Sequence, residues 1–293
     1  MSTRNLIELI LLAAVWGASF LFVRIAVPEF GAVALIEARV LFAGLALLPF
    51  WWVTEGSSSR HAVFSAWPHL FVVGLLNLSI PFVLFAYAML TITGGMAAIL
   101  NGTAPIWGAL VAWLWLKNKL SLNGVLGLII GFIGVLVLVS DDISLTLDGK
   151  TLAILAASVA PILYGIGSNY TAEKLAHISP LAISTFSQLA AALSLIPLLY
   201  WFMPQASPSL TAWLAVLGLS LICTSWGYLI FFRLLAEIGS TKAITVTFLV
   251  PLFGSIWGAL FIGEQITLIM VLGTGVILTG TALATGVLRL IKK

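Results

Sequence analysis

Four tryptophans, Trp16, Trp107, Trp226 and Trp257, stand toward the middle of long apolar stretches. Seven polar side chains stand at comparable depth: Tyr87, Asn101, Thr103, Tyr164, Asn169, Tyr228 and Thr247. Their chemistry is recognition rather than bond-making, because they offer aromatic faces, hydroxyls and amides but no strong acid, base or nucleophile. Polar groups at bilayer depth must face protein or a water-filled cavity, since lipid leaves them unsatisfied. Each one alone is better read as an interhelical hydrogen bond, worth about 0.6 kcal/mol on average. Taken together they suit one cavity of aromatic and neutral polar character, better matched to zwitterionic or amphipathic small molecules than to phosphates.

Catalytic and cofactor constellations are missing from the sequence. There is no GxxxxGK[ST] phosphate loop. His61, His69 and His177 belong to no metal-ligand cluster, and no serine has a histidine at membrane depth to activate it. The chain is expected to have no catalytic residues, no metal and no cofactor. Its acidic residues all sit near helix ends or in loops, so no carboxylate stands out as a midplane proton carrier. Arg39 is the deepest charge, about seven residues or roughly 10 Å into its helix at 1.5 Å per residue. It reads as a snorkelling or ion-paired side chain, with contact to an anionic substrate group as the alternative. Cys223, the single cysteine, lies in an apolar segment.

These residues need elements that span a membrane to position them. Of 293 residues, 61% are hydrophobic and 8% charged, far below the roughly 25% charged of a soluble domain. Splitting at polar clusters gives ten apolar segments, each long enough to cross a bilayer as helix. The first five are roughly Leu6–Val27, Val33–Val53, Trp67–Leu90, Met96–Leu116 and Leu122–Val139. The second five are roughly Leu152–Tyr170, Leu181–Phe202, Ala212–Leu235, Ala243–Ile262 and Leu268–Leu288. In a ten-span arrangement, ten of the thirteen Lys and Arg residues fall on one side, which predicts that both termini are cytoplasmic. The basic pI of about 9.1 is then a topology signal rather than a sign of nucleic-acid binding.

The stretch Gly94–Leu120 has a relative at Thr241–Ile266. Pro105 falls on Pro251, Gly108 on Gly254, Gly127 on Gly273 and Gly134 on Gly280, with eight identities in thirty-four aligned pairs. Five helices is an odd number, so a second copy must enter the membrane from the other side. The predicted fold is therefore an all-α polytopic membrane protein, ten transmembrane helices in two inverted five-helix repeats. Residues 1–140 form the first repeat, 141–151 a connecting loop and 152–293 the second. In such folds the substrate site lies near the midplane between the repeats. Pro105 and Pro251 each remove a backbone hydrogen bond within a spanning helix, so both are expected to kink it and to serve gating. Glycines at Gly127 and Gly131, and at Gly254 and Gly258, read as close-packing positions.

Trp16-Gly17-Ala18-Ser19-Phe20 with Arg24 resembles the first-helix motif of the EamA-type drug/metabolite transporter superfamily. Arg39 resembles its second-helix arginine, Ala97–Leu116 its fourth helix, and Pro251–Glu264 its ninth, which ends in glutamate. Two departures stand out: Asn118 where that family usually has glutamate, and Tyr164-Gly165 where a tryptophan is frequent. The end-glutamates read as structural, holding a helix turn or pairing across an interface. The resemblance implies a ten-helix exporter of metabolites such as amino acids, or of drugs, with a cavity among helices one, three, four, six, eight and nine.

The expected function is thus a secondary transporter in the cell (inner) membrane, exporting small amphipathic metabolites by alternating access. Its partners are the small-molecule substrate and the lipid bilayer, not nucleic acid, and a coupling proton is left open. An uncoupled facilitator is the first alternative. A non-transporting partner subunit or lipid-modifying enzyme is the second.

Overall fold

In a computed structural model, residues 2–117, 121–140, 148–243 and 245–288 are described. Asn118, Lys119, the acidic loop at 141–147 and the basic residues 289–293 lie outside them. The described chain is helical from end to end. Helix α1 (3–30) runs into α2 (32–54) through Gly31 alone, whose φ of 71° breaks what is otherwise one apolar rod. Only glycine adopts that left-handed conformation without a Cβ penalty, so this one residue turns one rod into two spans. Six more helices are long and apolar enough to span: α3 (Trp67–Ala88), α4 (Gly94–Leu114), α5 (Leu122–Val139), α6 (Gly149–Lys174), α7 (Pro180–Phe202) and α8 (Leu210–Ile238). Two shorter ones, α9 (Val246–Ile262) and α10 (Leu268–Ala284), bring the spans to ten.

Side-chain caps set most of the boundaries. Thr93, Ser121, Asp148, Ser179, Ser209 and Thr267 each accept a hydrogen bond from the amide three residues on. Each cap satisfies one of the donors that a helix start leaves unpaired.

Three spans depart from regular α-geometry. In α3 and α8, residues Leu75–Ser79 and Gly218–Trp226 are π-helical. The hydroxyls of Ser79, Thr224 and Ser225 bond carbonyls five residues back. Helix α4 breaks after Asn101 and resumes at Ala104, with Pro105 in the first turn of the new piece. Thr281 of α10 donates to the Gly102 carbonyl at this break, 3.3 Å away, so the disrupted backbone does not face lipid unpaired. The two prolines differ in their setting, because α9 continues as one helix through Pro251. The Pro251 ring instead fills the space beside Gly102, in the break that Pro105 opens.

Several packings recur when each helix of one half is exchanged for its mate five places on. α1 packs on α9 as α6 packs on α4, and α2, α4 and α5 pack on α7, α9 and α10. Matched glycines carry these crossings. A Cβ at Gly17 of α1 would lie 2.6 Å from Phe253 and 2.8 Å from the Gly254 amide. A Cβ at Gly165 of α6 would lie 2.7 Å from Trp107 and 2.9 Å from the Gly108 amide. Between α5 and α10, Gly127, Gly131 and Gly134 meet Gly280 and Ile277 backbone to backbone. Small residues let helices approach closely enough for dispersion to hold them where lipid removes the hydrophobic drive.

Candidate functional site

Between the two halves lies a cavity of about 740 Å³. All six helices anticipated from the sequence line it, together with α2 through Arg39 and the end of α10 through Thr285 and Val287. The π-helical turns deliver Asn77 from α3 and Cys223 and Thr224 from α8 to its wall. A widened turn re-aims side chains, and such turns recur at functional sites.

Of the eleven candidate contacts, Trp16, Asn101, Tyr164, Asn169, Tyr228 and Thr247 line this cavity, and so does Pro105. They differ in what they have left to offer. Asn169 spends its amide on the carbonyls of Gly108 at 3.0 Å and Gly165 at 2.8 Å, tying α6 to α4. Trp16 is held by Tyr228 and Phe231, with ring centroids 6.1 and 5.3 Å away. The Asn101 amide and the Tyr164 and Tyr228 hydroxyls make no hydrogen bond among the described residues and remain available to a ligand.

Five candidates, and Pro251, lie elsewhere. Tyr87 and Trp226 are 43% and 44% exposed and point away from the bundle. Thr103 is 4% exposed, its hydroxyl donating to the Leu100 carbonyl at 2.7 Å. Trp107 packs edge-on to Phe132 of α5, centroids 5.0 Å apart. The Trp257 indole N–H donates to the Ala14 carbonyl at 2.9 Å, and its ring stacks on Phe253. Helical period separates the two groups: Asn101, Pro105 and Gly108 follow one another at intervals of four and three, whereas Thr103 and Trp107 share a different face.

Arg39 is the largest correction. It neither snorkels to an interface nor pairs with a carboxylate among the described residues. Its guanidinium lies over the Phe82 ring, 3.7 Å from the centroid, and its Nε donates to the Thr224 hydroxyl at 3.2 Å. Among the described residues, no other charged side chain lines the cavity. An unpaired charge near the bilayer centre costs about 2.5–3.5 kcal/mol on insertion scales, so its retention calls for a functional account. The acidic residues also need correcting at one position. Glu37 is 6% exposed within α2, with one carboxylate oxygen unpartnered, rather than at an open helix end.

Three carboxylates at helix ends, Glu264, Glu55 and Glu29, hold the N-termini of neighbouring helices, where partial positive charge favours them. Glu264 follows Gly263, whose φ of 69° ends α9. It accepts from the Gly94 and Gly95 amides at 2.7 and 3.1 Å, and Arg24 lies 3.7 Å away, donating to the Met89 carbonyl at 2.7 Å. This latch ties the ends of α1, α3 and α9 to the start of α4, directly above Val23 and Met89 of the cavity wall. It lies on the side opposite the amino terminus, whereas the cavity extends toward the amino-terminal side at Thr247, Thr285 and Val287. Glu55 likewise contacts the Ser179 hydroxyl at the start of α7. Glu29, at the α1–α2 turn outside both apolar segments, accepts from the amide and hydroxyl of Ser209 at the start of α8.

A ten-helix bundle in two matched halves with a cavity between them is the architecture of a membrane transporter. The chain belongs to the EamA-like transporter family, whose model matches residues 5–140 and 151–286. It is 25% identical over 283 residues to an uncharacterized transporter of Archaeoglobus fulgidus, covering 94% of this chain and 96% of that one. The uncharacterized transporter YvbV of Bacillus subtilis is 23% identical over 286 residues, covering 96% and 91%. A probable terminal-alkyne amino-acid exporter of Streptantibioticus cattleyicolor is 22% identical over 263 residues, covering 87% and 84%. One crystal structure superposes with a TM-score of 0.69 over 99% of this chain and 100% of its own. At 16% identity that is a likeness of fold.

Proposed function

We propose that the protein is a secondary carrier exporting small amphipathic metabolites, amino acids among them, across the cell membrane by alternating access. Both termini are assigned to the cytoplasm on the basic residues that flank the spans. The observation that carries the reading is the cavity between the halves, walled by aromatic rings and offering the Asn101 amide and the Tyr164 and Tyr228 hydroxyls. A latch on one side and an approach on the other suit a carrier paused with one face closed. The halves, 1–140 and 152–293, are taken as the bodies that rock, with 141–151 as their joint. The printed description of the S. cattleyicolor relative as a probable amino-acid exporter adds to the choice of substrate class.

Flux of radiolabelled amino acids in proteoliposomes tests this. Saturable flux above protein-free vesicles is expected, and its absence across a broad metabolite panel would overturn the reading. An uncoupled facilitator is the second reading, favoured by the want of a carboxylate among the described lining residues. Flux independent of an imposed pH gradient supports it. Acceleration by the gradient instead identifies Glu37, the unpartnered carboxylate in α2, as the group to neutralise next.

A further inference from the structure

We infer that Arg39 is a carboxylate clamp, and that the cavity selects cargo bearing one carboxylate on an apolar or aromatic body. This rests on the carrier reading above and narrows it. A guanidinium carries five N–H donors in a planar fork that matches a carboxylate edge to edge. One donor is used on Thr224 and the flat face is covered by Phe82. Arg39 lines the cavity, and its two terminal nitrogens have no hydrogen-bond partner among the described residues. Tyr164 and Tyr228 lie within electrostatic reach of the same charge. The Phe82 ring beneath Arg39 sits 6.4 Å from the Tyr164 ring, so the charge is set into an aromatic wall.

The charge balance fixes the ligand class. Among the described lining residues one cation stands with no acid, so a monoanion completes it, and a dianion would carry an uncompensated charge into the site. A cationic cargo would meet unscreened repulsion, which excludes amines lacking an acid. A zwitterion fits where its ammonium reaches the free Asn101 amide oxygen or a tyrosine hydroxyl. The aromatic wall accommodates the apolar body.

The test uses alanine, leucine and phenylalanine, each as the amino acid, the deaminated acid and the amide. Proteoliposome flux and ligand-induced melting shifts in detergent are read for wild type, Arg39→Lys and Arg39→Met. Amino acids and acids are expected to be carried at least about ten-fold faster than amides, a margin set by a bidentate charge-assisted pair. Arg39→Met removes that preference and the carboxylate-dependent melting shift, whereas Arg39→Lys retains part of both. Amides carried as fast as acids, or Arg39→Met with unchanged preference, overturn the clamp while leaving carriage intact. A melting shift specific to carboxylates without flux retains the clamp and removes the carriage. Neither flux nor shift with any of the nine compounds overturns both. Arg39→Met is expected to fold, because replacing an unpaired buried charge by an apolar side chain is commonly neutral or stabilising. Its melting temperature is the control.

Discussion

At the scale of single residues, the cavity separates side chains that look alike in the sequence. Asn101 and Thr103 are two positions apart and both polar, yet one faces the cavity and the other bonds its own helix. Asn101→Leu is therefore expected to raise the half-saturation concentration of flux about five- to ten-fold, the loss of roughly one hydrogen bond, without lowering the melting temperature. Trp257→Ala is expected to do the reverse. It empties a packed site and removes a second hydrogen bond from the Ala14 carbonyl, costing about 3–5 kcal/mol by soluble-protein precedent, while half-saturation measured on the folded fraction stays unchanged. All eleven candidates were visible as polar or aromatic residues within apolar stretches, but that selects neither depth nor direction, and Tyr87 and Thr247 lie within two residues of helix ends. Direction needed the helical phase, and that phase shifts at the α4 break and at the π turns. Arg39 was visible as a charge. Its solitude was not, because pairing depends on which other helices surround it.

Among the elements, helix starts held by carboxylates from elsewhere in the chain are the stiffest joints. Glu264→Ala removes two charge-assisted bonds from the first turn of α4 and is expected to cost about 2 kcal/mol, read as a lower melting temperature. Glu264→Gln, which keeps the acceptor geometry without the charge, should lose less. Gly280→Leu forces α10 off α5, since even a Cβ there would fall on the Gly131 backbone. Loss of the folded fraction on size-exclusion is expected. The Glu29–Ser209 joint is titratable: the Ser209 amide, then its hydroxyl, hold the Glu29 carboxyl below its ordinary value of 4.5. A depressed folded pKa means that the joint is intact above the ordinary value and is lost as pH falls through the lower one. Trp213, edge-on to Phe30 at 4.8 Å, reports it. Its fluorescence should change on acidification below about pH 4.5, and Glu29→Gln should give the changed signal already at neutral pH. The ten spans were legible from apolar length, whereas the capping residues that set their starts emerged only from the structure. The partners of Glu29, Glu55 and Glu264 lie 124 to 180 residues away, beyond any local pattern.

For the whole molecule, the latch and the cavity define one end of a conformational cycle. In a Cys223→Ser background, Thr285→Cys is expected to react with a membrane-impermeant thiol reagent added from the amino-terminal face. Val23→Cys should be protected from the opposite face until Glu264→Gln weakens the latch, and equal labelling from both faces in the intact latch would sink this assignment. The two-fold relation was traceable in the sequence through Pro105 and Pro251, Gly127 and Gly273. The structure adds that the halves are not equivalent, since the proline of one breaks its helix and that of the other fills the gap.

The Glu264 latch belongs to one repeat, and its sequence counterpart in the other is Asn118. Such lopsidedness cannot by itself drive net flow. Microscopic reversibility requires Vmax/KM to be equal from the two faces of any carrier that consumes no gradient. It can separate the two constants individually. A carrier that rests empty with its amino-terminal face open returns quickly after each outward delivery, so movement from that face has the higher Vmax and the higher KM. Entry from the latched face saturates early and runs slowly. A device with that asymmetry relieves an internal surplus at high capacity and admits little when the outside concentration climbs.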